Sequence, residues 1–120
     1  MTEKDLNVIR HIKQHCDRIS SIVERFGNTF EDYSKDADYR DALNMNLAQI
    51  GELTNKFSDE FVRESSEIDW KGVKGLRNVI VHDYSNVEPE AIWKIVINDV
   101  PKLCQYCDMV IDVSGRDKEE

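Results

Sequence analysis

The sequence contains few residues that break helices and little that would support a disulfide-linked or membrane-spanning protein. Only 2 of the 120 residues are proline and 5 are glycine, which leaves room for long helices. The three cysteines are an odd number, which disfavours the paired framework of small secreted domains. Residues 1–5 lack the apolar stretch of a signal peptide, and no apolar run is long enough to cross a bilayer. These absences predict a helix-rich, cytoplasmic protein with no membrane partner.

Positive charge is also scarce. The chain has 16 Lys and Arg residues against 24 Asp and Glu residues, a formal net charge of −8. Because proteins bind phosphate backbones through Lys and Arg, this balance excludes a protein that coats nucleic acid with its whole surface. Any nucleic-acid site must therefore be local.

Apolar residues recur at helical spacing in four segments. The first stripe begins at Leu6 and its helix ends near Gly27, and the second helix runs from about Asp38 to about Val62. Asp69 is placed to cap a third helix that begins at Trp70. The fourth helix begins at Pro89, and Pro101 within it removes a backbone donor, which predicts a kink or a split.

Chain length and helix count together predict a single domain. A chain of 120 residues is long enough for one core and too short for two ordinary domains. Four helices with short connections favour an all-α, up-and-down four-helix bundle. We expect this domain to span residues 1–113, and residues 114–120, which lack apolar periodicity, to form a flexible tail.

Two local features run against the helical pattern. Gly51 lies in the middle of the second helix, where a glycine more often marks close approach of another helix than a break. The β-branched run Val79-Ile80-Val81 in the third helix mildly favours a strand, but the cap and periodicity around it outweigh that preference.

Two pairs of potential metal ligands give weak signals. His11 and His15 lie one turn apart, but without the carboxylate of an H-E-x-x-H pattern. Cys104 and Cys107 form a C-x-x-C inside a helical pattern with no second pair. We therefore expect solvated histidines, small buried cysteines, and neither a metal nor a cofactor.

The third helix carries the residues most suited to chemistry. Arg77, Asn78, His82 and Tyr84 lie within about two helical turns. At 100° per residue, the exposed row on this helix opposes its apolar side and consists of Lys71, Lys74, Asn78 and His82. Arg77 lies at the edge of the row, and the two lysines make the row a local basic strip.

Such a row could cleave RNA without a metal. Histidine titrates near neutral pH and can move protons in either direction, so His82 is a candidate general acid or base. Arg77 can hold a phosphate with two parallel hydrogen bonds and stabilise its developing charge, with Asn78 in a supporting role. The ribose 2′-hydroxyl would be the nucleophile. From spacing alone, however, an ordinary solvated helix face is the favoured interpretation of these side chains, and a tyrosine at position 84 more often packs than reacts.

The motif resembles that of the HEPN superfamily, and with Tyr84 it is similar to the R-x-x-x-x-H-x-Y motif of HepT-like ribonuclease toxins. The resemblance covers roughly residues 6–113. It is carried, in the family's order, by Ile50-Gly51-Glu52, Asp69-Trp70, Leu76-Arg77-Asn78, His82-Asp83-Tyr84, Trp93 and Val100-Pro101. One departure is Glu88, at a helix-cap position where the family often has Asp.

The resemblance implies a homodimer whose RNase site forms where two copies of the motif meet. It implies Arg77 and His82 as the catalytic pair and Asn78 as a supporting residue. The basic strip itself makes Lys71 and Lys74 weak candidates for RNA contacts. The resemblance also implies a partner, a nucleotidyltransferase antitoxin of the MntA kind. In type VII-like toxin–antitoxin pairs this partner transfers AMP to the motif tyrosine, which is Tyr84 in this sequence. A non-catalytic binding partner of that nucleotidyltransferase, with Tyr84 as AMP acceptor or docking site, is the alternative.

Overall fold

A computed structural model describes residues 1–82 and 86–119, with side chains described as far as residue 115, and these residues contain helices and no strand. The helices are α1 Glu3–Phe26, α2 Phe30–Lys35, α3 Ala37–Thr54, α4 Asp59–Glu64, α5 Trp70–His82, α6 Pro89–Lys94 and α7 Val100–Glu119, with a π-helical turn at Ile95–Asp99 between α6 and α7. The prediction of an all-helical protein is confirmed. No helix in these ranges is both long and apolar enough to cross a bilayer.

The predicted apolar stripe of α1 forms the centre of the core. Leu6, Ile9, Ile12 and Ile19 are almost fully buried, because α1 packs against α3 on one side and α7 on the other. The helix ends where predicted, at Gly27, whose φ of 120° suits a residue without a Cβ. On its far side, α3 packs against α5, so α3 lies between the central helix and the helix that carries the motif.

The sequence prediction of one unbroken second helix to about Val62 is wrong. The helix ends at Thr54, and a new helix, α4, begins at Asp59 after Ser58 as its N-cap. The Asp5 carboxylate at the start of α1 accepts hydrogen bonds from the backbone N–H of Ser58 at 2.8 Å and from its hydroxyl at 2.7 Å. Because α4 begins at this point, its N-terminus has backbone N–H groups and a cap residue that need hydrogen-bond partners. A helix that continued unbroken through residue 58 would have no such N-terminus.

The sequence predicts a kink or a split at Pro101, but the structure has no split there, and the turn directly before the proline is π-helical. Residues 95–99 adopt a π-helical turn, in which the Val100 N–H donates to the Ile95 carbonyl. Pro101 has no N–H to donate, and the wider turn directly before it adjusts the hydrogen bonding for this missing donor. As a result, α6, the π turn and α7 remain one continuous helical segment.

The helical backbone continues past residue 113 to Glu119. This stretch contains no proline and several charged residues that favour helices.

The start of α5 is held by a cap and by an aromatic cluster. The Asp69 carboxylate accepts a hydrogen bond from the Gly72 N–H at 3.1 Å, which confirms the predicted cap. Trp70 packs against Phe57 and Phe61, with ring centroids 4.8 and 6.0 Å away. The β-branched run of residues 79–81 is helical, as the surrounding pattern predicted.

Gly51 is the point of closest approach between α3 and α5. A Cβ at this position would lie 2.9 Å from the Arg77 nitrogen and 2.9 Å from the Val73 carbonyl oxygen, both backbone atoms of α5. The prediction that this glycine marks helix contact is therefore confirmed. Because the contact is made with the backbone of Arg77 itself, it sets the distance of the motif from α3.

We predict that Gly51→Ala lowers the free energy of unfolding by about 1–2 kcal/mol, since the new methyl group must push two backbones apart. This value is the net change. It already allows for the higher helix propensity of alanine, which alone would stabilise the protein by up to about 1 kcal/mol. Chemical denaturation measures the change.

Gly75→Ala is the matched control on α5, because a Cβ there meets nothing within 4 Å. We expect this variant to be as stable as the wild type or more stable by up to about 1 kcal/mol. Equal effects of the two substitutions would contradict the account of Gly51.

Candidate functional site

The polar row of α5 points away from the core. Lys71, Lys74, Asn78 and His82 are all exposed, whereas Ile80 on the opposite side is buried. The helix therefore has the two faces that its sequence predicted. The row lies open to solvent on the single chain, with nothing above it among the residues that the structure describes.

Arg77 joins this row to α3. Its side chain is 38% exposed, and its Nε lies 3.2 Å from Oε2 of Glu52, one residue after Gly51. Its Nη1 lies 3.3 Å from His82 Nε2 and 3.4 Å from Asn78 Oδ1. The structure thus brings together the three residues that the sequence proposed as a catalytic group.

The contact between Arg77 and His82 is compatible with a hydrogen bond in one tautomer of the neutral imidazole. A guanidinium group has only donors, so the His82 Nε2 must accept the hydrogen bond. The ring proton of a neutral His82 then lies on Nδ1. In this arrangement His82 already carries the lone pair that a general base needs, on the nitrogen that faces Arg77.

Glu52 is the site residue that reasoning about chemistry from the sequence missed. The carboxylate is about half exposed, and a solvated ion pair of this kind adds at most about 1 kcal/mol to stability. Its effect is geometric, because it holds Nε while Nη1 of Arg77 lies beside His82 and Asn78. The sequence held two signals for it: its position directly after the glycine that brings α5 close, and its place in the segment Ile50-Gly51-Glu52, which is part of the family resemblance.

Tyr84 falls in residues 83–85, which lie outside the described residues, so its predicted role as an AMP acceptor rests on the sequence motif.

The other candidate ligands of the sequence do not converge. Among the residues described, no three His, Cys, Asp or Glu side chains are grouped so that they could hold a metal ion. His11 is exposed as expected, but His15 is partly buried and its Nδ1 lies 2.9 Å from Asn46 Oδ1, so it is not a simple surface histidine.

The cysteines are free thiols. Cys16 and Cys107 are fully buried, as predicted, and burial raises the pKa of the Cys107 thiol to about 12, which keeps it protonated and unreactive. Cys104 differs, because it is partly exposed and accepts a hydrogen bond from Lys13 Nζ at 3.2 Å.

The chemistry available to one copy of the site is limited by its exposure. A cation and an imidazole in contact can bind a phosphate and move a proton, but their electrostatic effect is small when water surrounds them. A group of this kind could hold a phosphate and move a proton, and both effects would be stronger if water were excluded from it.

Comparison with known proteins identifies the family. The family model described as ribonuclease HepT-like matches residues 12–110. A candidate RNase of Methanocaldococcus jannaschii is 33% identical over 91 residues, covering 75% of both chains, and one of Caldanaerobacter subterraneus is 32% identical over 95 residues, covering 79% of this chain and 83% of the relative. A protein of Thermococcus cleftensis, named as a candidate HepT ribonuclease, is 32% identical over 84 residues, covering 68% of this chain and 76% of its own.

No solved protein structure gave a significant match. The family model covers most of the chain, including α3, α5 and the whole of the Arg77–His82 group. The chain therefore belongs to the HepT-like family of ribonucleases.

Proposed function

We propose that this protein is a metal-independent endoribonuclease, the toxin of a type VII-like toxin–antitoxin pair, acting in the cytoplasm without a cofactor. The observation that carries the proposal is the contact between Arg77 Nη1 and His82 Nε2 on an outward face of α5. Membership of the HepT-like family supports it, and so do the names of the relatives.

The reaction uses the 2′-hydroxyl of RNA as its nucleophile. His82 takes the proton from this hydroxyl, the 2′-oxygen attacks the adjacent phosphorus, and the bond from phosphorus to the 5′-oxygen breaks. The products are a 2′,3′-cyclic phosphate and a 5′-hydroxyl. The leaving 5′-oxygen needs a proton, which a second, protonated imidazole supplies.

Arg77 couples phosphate binding to activation of His82. An incoming phosphate accepts hydrogen bonds from the Nη groups. A bond from the guanidinium to an anionic phosphate is stronger than its long contacts to the neutral acceptors His82 and Asn78. When Nη1 turns to the phosphate, the Nε2 lone pair of His82 becomes available. Glu52 keeps Nε in place during this change, and Asn78 supports the phosphate or the imidazole.

We propose that a second copy of the chain completes the site, with two bundles, each an up-and-down four-helix domain of residues 1–113, forming a homodimer. The polar row is flanked by exposed apolar side chains, Val79 at 49% and Val81 at 51%. A second copy packed on these valines would cover both rows, exclude water, and bring the partner's His82 near as the acid. Lys71 and Lys74 then border the entrance and bind flanking phosphates.

We predict that His82→Ala lowers RNA cleavage by about 100-fold or more, which is the contribution of a positioned acid or base. Purified wild type and variant are compared on the same labelled RNA, and growth after expression without an antitoxin is compared in parallel. Cleavage and growth arrest that persist in the variant would contradict the mechanism.

Two controls separate this effect from others. His11→Ala removes an exposed histidine from α1 and should leave cleavage unchanged. Addition of a chelator should also leave the wild-type rate unchanged, whereas loss of activity in chelator would show that the mechanism needs a metal.

The second candidate function is a non-catalytic binding partner of a nucleotidyltransferase. It is favoured by the net charge of −8, which leaves only a small basic strip for RNA. In this alternative, Tyr84 is the AMP acceptor or docking site, and the motif serves recognition. For AMP transfer, the phenol oxygen of Tyr84 attacks the α-phosphorus of ATP and pyrophosphate leaves.

We predict that incubation with a MntA-like nucleotidyltransferase and ATP adds AMP to the wild type and not to Tyr84→Phe. Intact-mass measurement detects the addition, and Tyr106→Phe is the control for loss of a phenol elsewhere. Additions that survive in Tyr84→Phe would refute the assignment of this tyrosine. A complex that forms with no mass shift would mean that the partner neutralises the protein by binding alone.

A further inference from the structure

The side of the bundle between α5 and α7 is left open. α1 packs against both α3 and α7, but among the residues that the structure describes α5 has extensive contact with α3 alone. α5 and α7 touch through Trp70 and Tyr106, whose ring centroids lie 6.0 Å apart. A groove of about 460 Å³, open to solvent on one side, lies between the two helices, and we call it the α5–α7 groove. Two neighbouring helices that do not pack along their length leave room for a further helix.

The walls of the α5–α7 groove are apolar and incompletely covered. Val73 and Leu76 of α5 line it and are only partly buried, and so are Ile68 before this helix and Ile95 in the π turn. Core side chains of α3 and α7 also line it: Leu47, Ile50, Val100 and Leu103. Apolar area that is still in contact with water favours the binding of another apolar side chain.

The groove is bordered by negative charge. Glu67, Asp69 and Asp99 line it and are exposed, and Lys102 is the one basic residue among the described residues at the groove. None of these four side chains forms an ion pair within the described part of the chain. Three carboxylates against one ammonium leave a formal charge of −2 at the groove. This charge repels the phosphates of RNA and attracts Lys and Arg.

We propose that the α5–α7 groove binds a helical segment of a partner protein, which inserts two apolar side chains one turn apart and places Lys or Arg beside them. Side chains one turn apart lie on the same face of a helix, so they can enter an apolar groove together. The basic residues pair with Glu67 and Asp99, which have no ion-pair partner in the described chain. The proposal does not depend on the ribonuclease function, because the polar row lies on the other side of α5 and stays open.

A synthetic peptide is the probe that tests this proposal. It is alanine-rich, about 20 residues long so that it can form a helix, and carries two leucines one turn apart with lysines beside them. Two matched peptides have serine in place of the leucines or glutamate in place of the lysines. Fluorescence anisotropy of the labelled peptides measures their affinity for the full chain. We expect the wild-type protein to bind the first peptide and to bind either of the others about 10-fold more weakly or less.

Two double variants of equal charge show whether the peptide binds at the groove. Glu67→Gln/Asp99→Asn removes two carboxylates that border the groove, whereas Glu24→Gln/Glu31→Gln removes two exposed carboxylates elsewhere. Nonspecific attraction of a cationic peptide to an acidic protein changes equally in both. We expect the first variant to weaken binding about 3-fold to 10-fold, through the loss of two exposed charge pairs, and the second to change it little. Since all four side chains are exposed, both variants should keep the wild-type melting temperature.

A photoreactive leucine in the peptide identifies the contact directly. We expect it to cross-link to residues of α5, the π turn or α7 that line the groove. The proposal is overturned if the first peptide does not bind, if the two double variants bind it equally, or if the cross-links lie elsewhere. It is also overturned if light scattering shows that Glu67→Gln/Asp99→Asn dissociates a wild-type oligomer, because the groove is then a contact between copies. RNA cleavage should be the same in both double variants, so failure here leaves the ribonuclease proposal intact.

Discussion

The close contact of α3 with α5 at Gly51 is the constraint on which the site depends. Because residue 51 has no side chain, the backbone of Arg77 can rest directly on α3. That closeness lets the next residue, Glu52, reach the guanidinium of Arg77. The ion pair in turn leaves Nη1 beside His82, so one missing methyl group sets the position of the entire group.

The arrangement is complete in its contacts but open to water. Ion pairs and hydrogen bonds on a solvated surface have little effect on a reaction, and they gain strength when water is excluded. The exposed valines on both sides of the polar row supply the apolar surface that a covering molecule needs. The proposal of a homodimer follows from this combination of a reactive row and apolar borders on one face.

Most features that depend on neighbouring residues could be predicted from the sequence, and most features that depend on distant residues could not; the helix contact at Gly51 is an exception. The Asp69 cap, the stripe of α1 and the outward row of α5 are local patterns, and the structure has them. The break before α4 has a local signal, the N-cap Ser58 followed by two acidic residues, but the apolar period of α3 continues through it. The additional bonds of Ser58 are made to Asp5, a carboxylate 53 positions away, and could not be predicted from the sequence.

The same distinction applies within the site. Arg77, Asn78 and His82 share one helix, so their spacing alone predicted that they could meet. Glu52 belongs to another helix, and its ion pair with Arg77 appears only once the two helices pack. Tyr84 lies outside the described residues, and its role rests on the motif alone.

The central claim is that Arg77 and His82 cleave RNA through its own 2′-hydroxyl, and one substitution in the substrate tests it most directly. An RNA oligonucleotide that the protein cuts at a mapped linkage is made again with a single 2′-deoxy nucleotide on the 5′ side of that linkage. The account predicts that cleavage stops at this linkage and continues at others, with 2′,3′-cyclic phosphate and 5′-hydroxyl ends. Continued cleavage at the deoxy position would contradict it.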